Sequence, residues 1–129
     1  MDMATGKQGE ALQSDPGLSP LDVLVQLYEG AIRFLEHSVT ACEEGRVDEF
    51  KEQLARGQRI IEEFQRTLDF VQGGEVSVRL NELYEYMLEN LTQAGLTHDS
   101  QYIQQVVGNL NVLLEGWRGA VTGAGTQAD

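Results

Sequence analysis

Residues 47–71 read VDEFKEQLARGQRIIEEFQRTLDFV, and their apolar positions recur at alternating intervals of four and three residues. The positions that form this seam are Phe50, Leu54, Gly57, Ile61, Phe64, Leu68 and Val71. Such spacing places one residue per turn on a single helical face and is typical of helices that pack side by side. The stretch therefore predicts a core helix of a bundle, which we expect to end at Gly73 and Gly74.

The segment before this seam predicts another helix with well-defined ends. Ser19 is a suitable N-cap, Pro20 suits the first helical position, and Asp22 completes a capping box. The helix is expected to run to about Glu44, because Gly45 can adopt the left-handed conformation that ends a helix.

Two further apolar stripes follow the seam. The first comprises Leu80, Leu83, Tyr84, Met87, Leu88 and Leu91 and predicts a helix that ends near Gly95. The second comprises Ile103, Val106, Val107, Leu110, Leu113, Leu114 and Trp117, on a helix capped by Asp99 or Thr97. We therefore predict an all-α fold: an antiparallel up-down-up-down four-helix bundle over residues 19–120. Residues 1–18 are predicted to be a flexible N-terminal arm, and residues 121–129 a disordered tail.

Composition excludes several classes of partner and site. A chain of 129 residues suits one domain, and its net charge of −12 disfavours nucleic acid and anionic membranes as partners. Cys42 is the only cysteine, so the chain forms neither an internal disulfide nor a cysteine-based zinc site. The sequence shows no signal-peptide pattern and no apolar run of membrane-spanning length, which predicts a cytoplasmic protein.

The first predicted helix carries more apolar residues than one core face requires. Its core face comprises Leu21, Leu24, Val25, Tyr28, Ala31, Ile32, Leu35 and Val39. A second row, formed by Val23, Leu27 and Phe34, widens the apolar arc to roughly 200°. Either this helix contacts two neighbours at once, or part of the surplus lines a groove that accepts a partner helix.

Three other residues are weighed as partner contacts. Tyr86 stands off the core stripe of the third helix and is the best candidate for an exposed aromatic anchor. Gly108 lies off the core stripe of the fourth helix, where it either meets a ligand backbone or is simply tolerated. Tyr28 is either a core residue or a contact at the edge of the groove. The predicted partner-binding residues are Val23, Leu27, Tyr28, Phe34, Tyr86 and Gly108.

The sequence offers little support for catalysis. His37 and His98 are the only histidines, and the acidic neighbour Glu36 would repel a phosphoryl group on His37, which disfavours a phosphotransfer module. Neither histidine follows a glutamate by three residues, as a di-iron bundle requires. We predict no catalytic residue, no metal site and no cofactor.

Three blocks of the sequence resemble the flagellin export chaperone family, FliS. Residues 19–35, SPLDVLVQLYEGAIRFL, resemble its opening Ser-Pro, aliphatic run and Leu-Tyr-Asp-Gly-Ala-Ile, with Glu29 in place of the usual aspartate. The second block is Thr67-Leu68-Asp69, then Gly73-Gly74-Glu75 and Leu80-x-x-Leu83-Tyr84-x-Tyr86-Met87. The third is the fourth helix, with Ile103, Val106, Gly108, Leu110 and Trp117 in order. The likeness covers about residues 19–120.

The resemblance implies a cytoplasmic chaperone that binds the disordered C-terminal segment of flagellin and prevents its polymerisation before flagellar type III secretion. An alternative partner for such a bundle is another flagellar or regulatory protein, or a co-chaperone. Family members usually carry tyrosines in the N-terminal arm, whereas residues 1–18 contain no aromatic residue. The resemblance therefore does not extend to an arm that covers the binding surface with tyrosines.

Overall fold

The computed structural model describes the backbone of residues 19–68 and 70–126, and their side chains other than those of residues 70–72 and 121–126. This part of the chain contains four helices and no strand. The helices are α1 (Pro20–Glu43), α2 (Val47–Arg66), α3 (Phe70–Thr97) and α4 (Ser100–Thr126).

The helices form a closed ring of neighbours. Helix α1 packs against α2 and α4, and α3 packs against the same two helices from the other side. Each helix thus contacts the one that follows it in the chain, and the last packs back on the first. Short connections between sequential neighbours produce an antiparallel arrangement, which confirms the predicted all-α four-helix bundle.

Both ends of α1 are fixed by local hydrogen bonds. At the start, Ser19 Oγ accepts the Asp22 N–H at 3.1 Å, and Asp22 Oδ2 accepts the Ser19 N–H at 3.0 Å. The backbone and hydroxyl donors of Ser19 lower the pKa of Asp22. At the far end Gly45 has φ +76°, and the Arg46 N–H donates to the Ala41 carbonyl at 2.8 Å. The capping box and the glycine stop are therefore as predicted.

The end of α2 differs from the prediction. The helix stops at Arg66, and the hydroxyl of Thr67 donates to the Phe64 carbonyl at 3.2 Å, satisfying a helix-end acceptor, and to the Glu63 carbonyl at 3.0 Å. The two glycines that were expected to end it lie in the first turns of α3, where Gly74 makes a kink at φ +54° and ψ −130°. The apolar spacing continued past Arg66 because Leu68 still packs against the core after the helix has ended.

The last helix is longer than predicted. Helix α4 continues through Thr126, past the expected boundary at residue 121. Glycine lowers helix propensity without forbidding the helix, and no proline interrupts this stretch. Residues 127–129 and the predicted arm, residues 1–18, lie outside the described residues.

The predicted seam of α2 forms one wall of the core. Its buried members are Phe50, Leu54, Gly57, Ile61 and Phe64. A Cβ added at Gly57 would lie 2.5 Å from Leu35 Cδ2 and 2.7 Å from Leu35 Cγ, far inside van der Waals contact. Gly57 therefore lets α1 and α2 approach more closely than any larger residue would allow.

The Gly57→Ala variant tests this close approach. We expect the overpacking cost of about 1–3 kcal/mol to exceed the helix-propensity gain of about 1 kcal/mol, so that the free energy of unfolding falls. Gly116→Ala is the matched control, because a Cβ there meets nothing within 4 Å. Urea denaturation would measure both variants, and a Gly57→Ala protein as stable as Gly116→Ala would contradict the close-approach argument.

Candidate partner-binding groove between the first two helices

An open groove runs along the outer side of the junction between α1 and α2. It has a volume of about 530 Å³, and its lining comprises Val23, Gln26, Leu27, Glu29, Gly30, Arg33, Phe34 and Ile60. We call it the α1/α2 groove. The second apolar row predicted for the first helix therefore lies in a single groove. Leu27 is 38% exposed, and Val23 and Phe34 are half-buried, so the described neighbours do not fully cover this row.

The groove follows from the helical positions of its residues. At 100° per residue, Val23, Leu27, Gly30 and Phe34 fall within an arc of roughly 60° on α1. Gly30 has no side chain, and a Cβ placed there would lie 3.8 Å from Arg33 Nη2 and 3.9 Å from Ile60 Cδ1. Backbone thus forms part of the floor, between apolar side chains on either side.

Charged groups border this apolar floor. The Arg56 guanidinium carbon lies 5.7 Å from the centroid of the Phe34 ring, a cation–π geometry, and Arg56 also pairs with Glu52 at 2.8 Å. Glu29 pairs with Arg118 of α4 at 2.6 Å. The carboxylates nearest the groove are therefore engaged by arginines.

Tyr28 is not part of this surface, which corrects its assignment as a partner contact. It follows Leu27 and so lies about 100° further round the helix, facing the core. Its side chain is fully buried, with its ring stacked on that of Phe64 at a centroid distance of 4.4 Å. Its hydroxyl lies 2.5 Å from that of Tyr84, and burial raises the pKa of both tyrosines.

Tyr86 lies on a different side of the bundle. It is 45% exposed, as expected for an aromatic residue off the core stripe. It lines a hollow of about 320 Å³ between α3 and α4, together with Asn90, Tyr102 and Gln105 among others. The ring order of the helices places this hollow opposite the α1/α2 groove.

Gly108 is exposed on the outer face of α4. A Cβ added there would meet nothing within 4 Å, so no close approach within the bundle requires a glycine at this position. One turn further along, Val112 is 72% exposed. Residues 100–114 also contain no charged side chain, which sets this face apart from the rest of an acidic chain.

The family model for the flagellar protein FliS matches residues 6–124. The chain belongs to the FliS family. The flagellar secretion chaperone FliS of Salmonella typhimurium is 36% identical over 101 residues, which cover 78% of this chain and 75% of that protein. The FliS chaperone of Campylobacter jejuni is 32% identical over 107 residues, covering 82% and 84%.

A solved structure described as a flagellar chaperone from bacteria shares the fold of this FliS-family chain. The two superpose with a TM-score of 0.76 at 20% identity, covering 93% of this chain and 98% of the other. Family and fold together confirm the resemblance drawn from the three sequence blocks. The match to the FliS model also begins before residue 19, at residue 6.

The two histidines weighed as enzyme residues lie on different elements of this FliS-family bundle. His37 is exposed on α1, and His98, with φ +57°, lies between α3 and α4, where its ring makes a T-shaped contact with that of Phe50. Within residues 19–68 and 70–126, no group of three or more metal-binding side chains is arranged to hold an ion. None of the described helices is long and apolar enough to cross a membrane.

Sequence reasoning missed several members of the groove. Gly30 lies three residues after Leu27 and four before Phe34, so the same spacing argument could have included it. Ile60 adjoins the seam residue Ile61 and supplies the opposite wall. Arg33 is polar and belongs to neither apolar row of the first helix, so its place at the groove follows only from the fold.

Double-mutant analysis would test the buried tyrosine pair. Tyr28→Phe or Tyr84→Phe leaves one buried hydroxyl without its partner, so we expect each to lower the free energy of unfolding by about 1–3 kcal/mol. The double variant should cost about 1 kcal/mol less than the sum, because it leaves no orphaned hydroxyl. Urea denaturation of the four proteins gives the coupling energy, and additive costs would contradict a direct hydrogen bond.

Proposed function

We propose that this chain is a cytoplasmic export chaperone that binds the disordered C-terminal segment of flagellin and prevents its polymerisation before flagellar type III secretion. The observation that carries the proposal is the open α1/α2 groove, in which Val23, Leu27 and Phe34 form one apolar row. Relatives that are 36% and 32% identical are named flagellar secretion chaperones, which supports the assignment to this export system.

The groove has the character that an amphipathic client helix needs. A helix with apolar residues at intervals of three and four presents one stripe, which can lie along the row formed by Leu27 and its neighbours. The client must order as it binds, and this ordering offsets part of the contact free energy. Binding of this kind covers the client's apolar stripe and still allows its release to the secretion machinery.

The chaperone acts by binding, without a chemical step. Its groove is lined by apolar side chains, one backbone segment and charged groups such as Glu29, which is held by Arg118. Such a lining excludes water from a docked helix and orients it.

A client that also uses Tyr86 has to pass around the bundle. The α1/α2 groove and the hollow beside Tyr86 lie on opposite sides, so one straight helix cannot reach both. We propose that Tyr86 anchors a second client segment, and that Gly108 lies along the path over the outer face of α4. A bare backbone at Gly108 allows an extended chain to approach the helix closely.

Co-purification distinguishes flagellin from another flagellar or regulatory partner. Recovery of a flagellin-sized protein from cells, lost when the flagellin C-terminal helix is deleted, supports the proposed client. Recovery of a different protein that tolerates this deletion would favour an adaptor that binds a regulator or a co-chaperone.

Leu27→Glu and Phe34→Glu test the α1/α2 groove directly. A carboxylate on the apolar floor would be desolvated by a docked helix, so we expect each variant to bind the flagellin C-terminal segment at least tenfold more weakly, a loss of about 1.4 kcal/mol or more. Titration calorimetry measures the affinity, and circular dichroism on the same samples should show unchanged helix content.

Leu96→Glu is the matched control for this test. Leu96 is 73% exposed on α3 and does not line the groove, so its replacement should leave the affinity unchanged. Equal losses in all three variants, or unfolding of the two groove variants, would show that Leu27 and Phe34 do not form a specific docking surface.

Tyr86→Ala tests the second surface. Loss of an exposed aromatic anchor should weaken binding of the full C-terminal segment about three- to thirtyfold, while leaving a shorter peptide that occupies only the groove unaffected. Calorimetry with both peptides separates the two contributions. Unchanged affinity for the full segment would remove Tyr86 from the client path.

A further inference from the structure

Resting on the proposed function, we infer that the α1/α2 groove selects its client helix by charge as well as by apolar contact. In this inference the guanidinium of Arg33 pairs with a carboxylate that borders the apolar stripe of the client. The ligand is thus an acidic amphipathic helix, which is a narrower class than an amphipathic helix of any charge.

The first observation is the pattern of ion pairs on an acidic chain. Against a net charge of −12, most arginines of the described chain pair with glutamates. The paired arginines are Arg46, Arg56, Arg66, Arg79 and Arg118. Arg33 makes neither an ion pair nor a hydrogen bond with any residue of the described ranges, although acidic residues are abundant.

The second observation is where Arg33 lies. Its Nη2 atom is 3.8 Å from the position of a Cβ on Gly30, so the guanidinium rests over the bare backbone of the groove floor. It is exposed, and Leu27 and Phe34 line the same groove. A helix that seats its apolar stripe on these two residues brings its flanking positions to the donors of Arg33.

The other charged groups of the groove leave this role to Arg33. Glu29 is the only acidic residue in the lining, and its pairing with Arg118 at 2.6 Å neutralises it. Arg56 already pairs with Glu52 and lies over the ring of Phe34. An incoming carboxylate therefore meets an open, planar set of donors, the geometry in which arginine binds carboxylates best.

This arrangement makes the groove prefer acidic helices, although the negative net charge of the chain would by itself favour basic ones. At a distance, an acidic chain attracts basic segments and repels acidic ones. Within the groove the preference is reversed, because the guanidinium of Arg33 has no ion pair with the described residues and a docked helix partly desolvates the new pair. A client with a carboxylate beside its apolar stripe, facing Arg33, is thus distinguished from basic helices that the negative surface would otherwise attract.

Two synthetic peptides of about 18 residues, a helix long enough to span the groove, test the inference. They share one leucine-rich apolar stripe, and the positions that border it carry glutamate in one peptide and glutamine in the other. Titration calorimetry on the full chain should show the glutamate peptide binding about three- to tenfold more tightly. Arg33→Gln should abolish this preference, and 0.5 M salt should reduce it, because the Debye length is then only about 4 Å.

Arg59→Gln is the matched control. Arg59 is exposed on α2, also makes no ion pair with the described residues and does not line the groove, so its replacement should leave the preference intact. The inference is overturned if the two peptides bind equally to the wild type, if neither binds, or if the preference survives Arg33→Gln. Self-association of the wild type that Arg33→Gln abolishes would place a second copy in the groove and would overturn it as well.

The flagellin C-terminal segment, titrated into the same proteins, separates this inference from the proposed function. If flagellin binds and Leu27→Glu weakens it, but the glutamate preference is absent, the charge selection alone fails. If the preference holds and flagellin does not bind, the proposed client is wrong and the groove still selects acidic helices.

Discussion

The close approach of α1 and α2 at Gly57 is the constraint on which the rest of the surface depends. With Leu35 packed where a Cβ would otherwise lie, the two helices leave no room between them for a second row of apolar side chains. Val23, Leu27 and Phe34 are consequently left on the outer side of the junction, where Ile60 and Arg56 cover them only in part. The groove thus follows from the helical positions of these residues beside a tightly packed core.

Charge distribution adds a second layer to this arrangement. The chain carries 21 acidic and 9 basic residues, and the ion pairs place arginines beside the carboxylates closest to the groove. Exposed pairs of this kind contribute little to stability, typically 0 to about 1 kcal/mol each. Under the proposed function their larger effect is to remove negative charge from the groove, where Arg33 is a cation without an ion pair among the described residues.

The sequence predicts best what depends on near neighbours in the chain. The cap at Ser19 and the stop at Gly45 are set by hydrogen bonds that span a few residues, and both are found where the pattern placed them. The seam of α2 fixes its buried face for the same reason, since burial follows the helical period. Its end was misplaced because Leu68 keeps the apolar spacing and packs against the core after the helix has ended at Arg66.

What the sequence could not supply are relations between helices. The wide apolar arc of α1 indicated two rows of apolar residues. Which row faces the core depends on the helices packed beside α1, so that Tyr28 is buried while its neighbour Leu27 is exposed. Tyr86 and Gly108 were correctly placed off the core stripes, yet their distance from the groove follows only from the ring order. The neutralisation of Glu29 by Arg118 joins residues 89 positions apart, which no local pattern reveals.

The partial exposure of the groove bears on how tightly it can hold a client. Leu27 is 38% exposed, and Val23 and Phe34 are half-buried. A docked helix therefore buries only the apolar surface of these residues that the bundle still leaves exposed. At about 25 cal/mol per Å² of apolar surface buried, this remaining exposed surface contributes only a small binding free energy at each position. Stable binding of a client helix then requires contacts at several positions at once, and the loss of one contact weakens the whole complex. Under the proposed function, a shallow groove in which Arg33 has no ion pair with the described residues favours selective and reversible recognition, as a chaperone that must surrender its client requires.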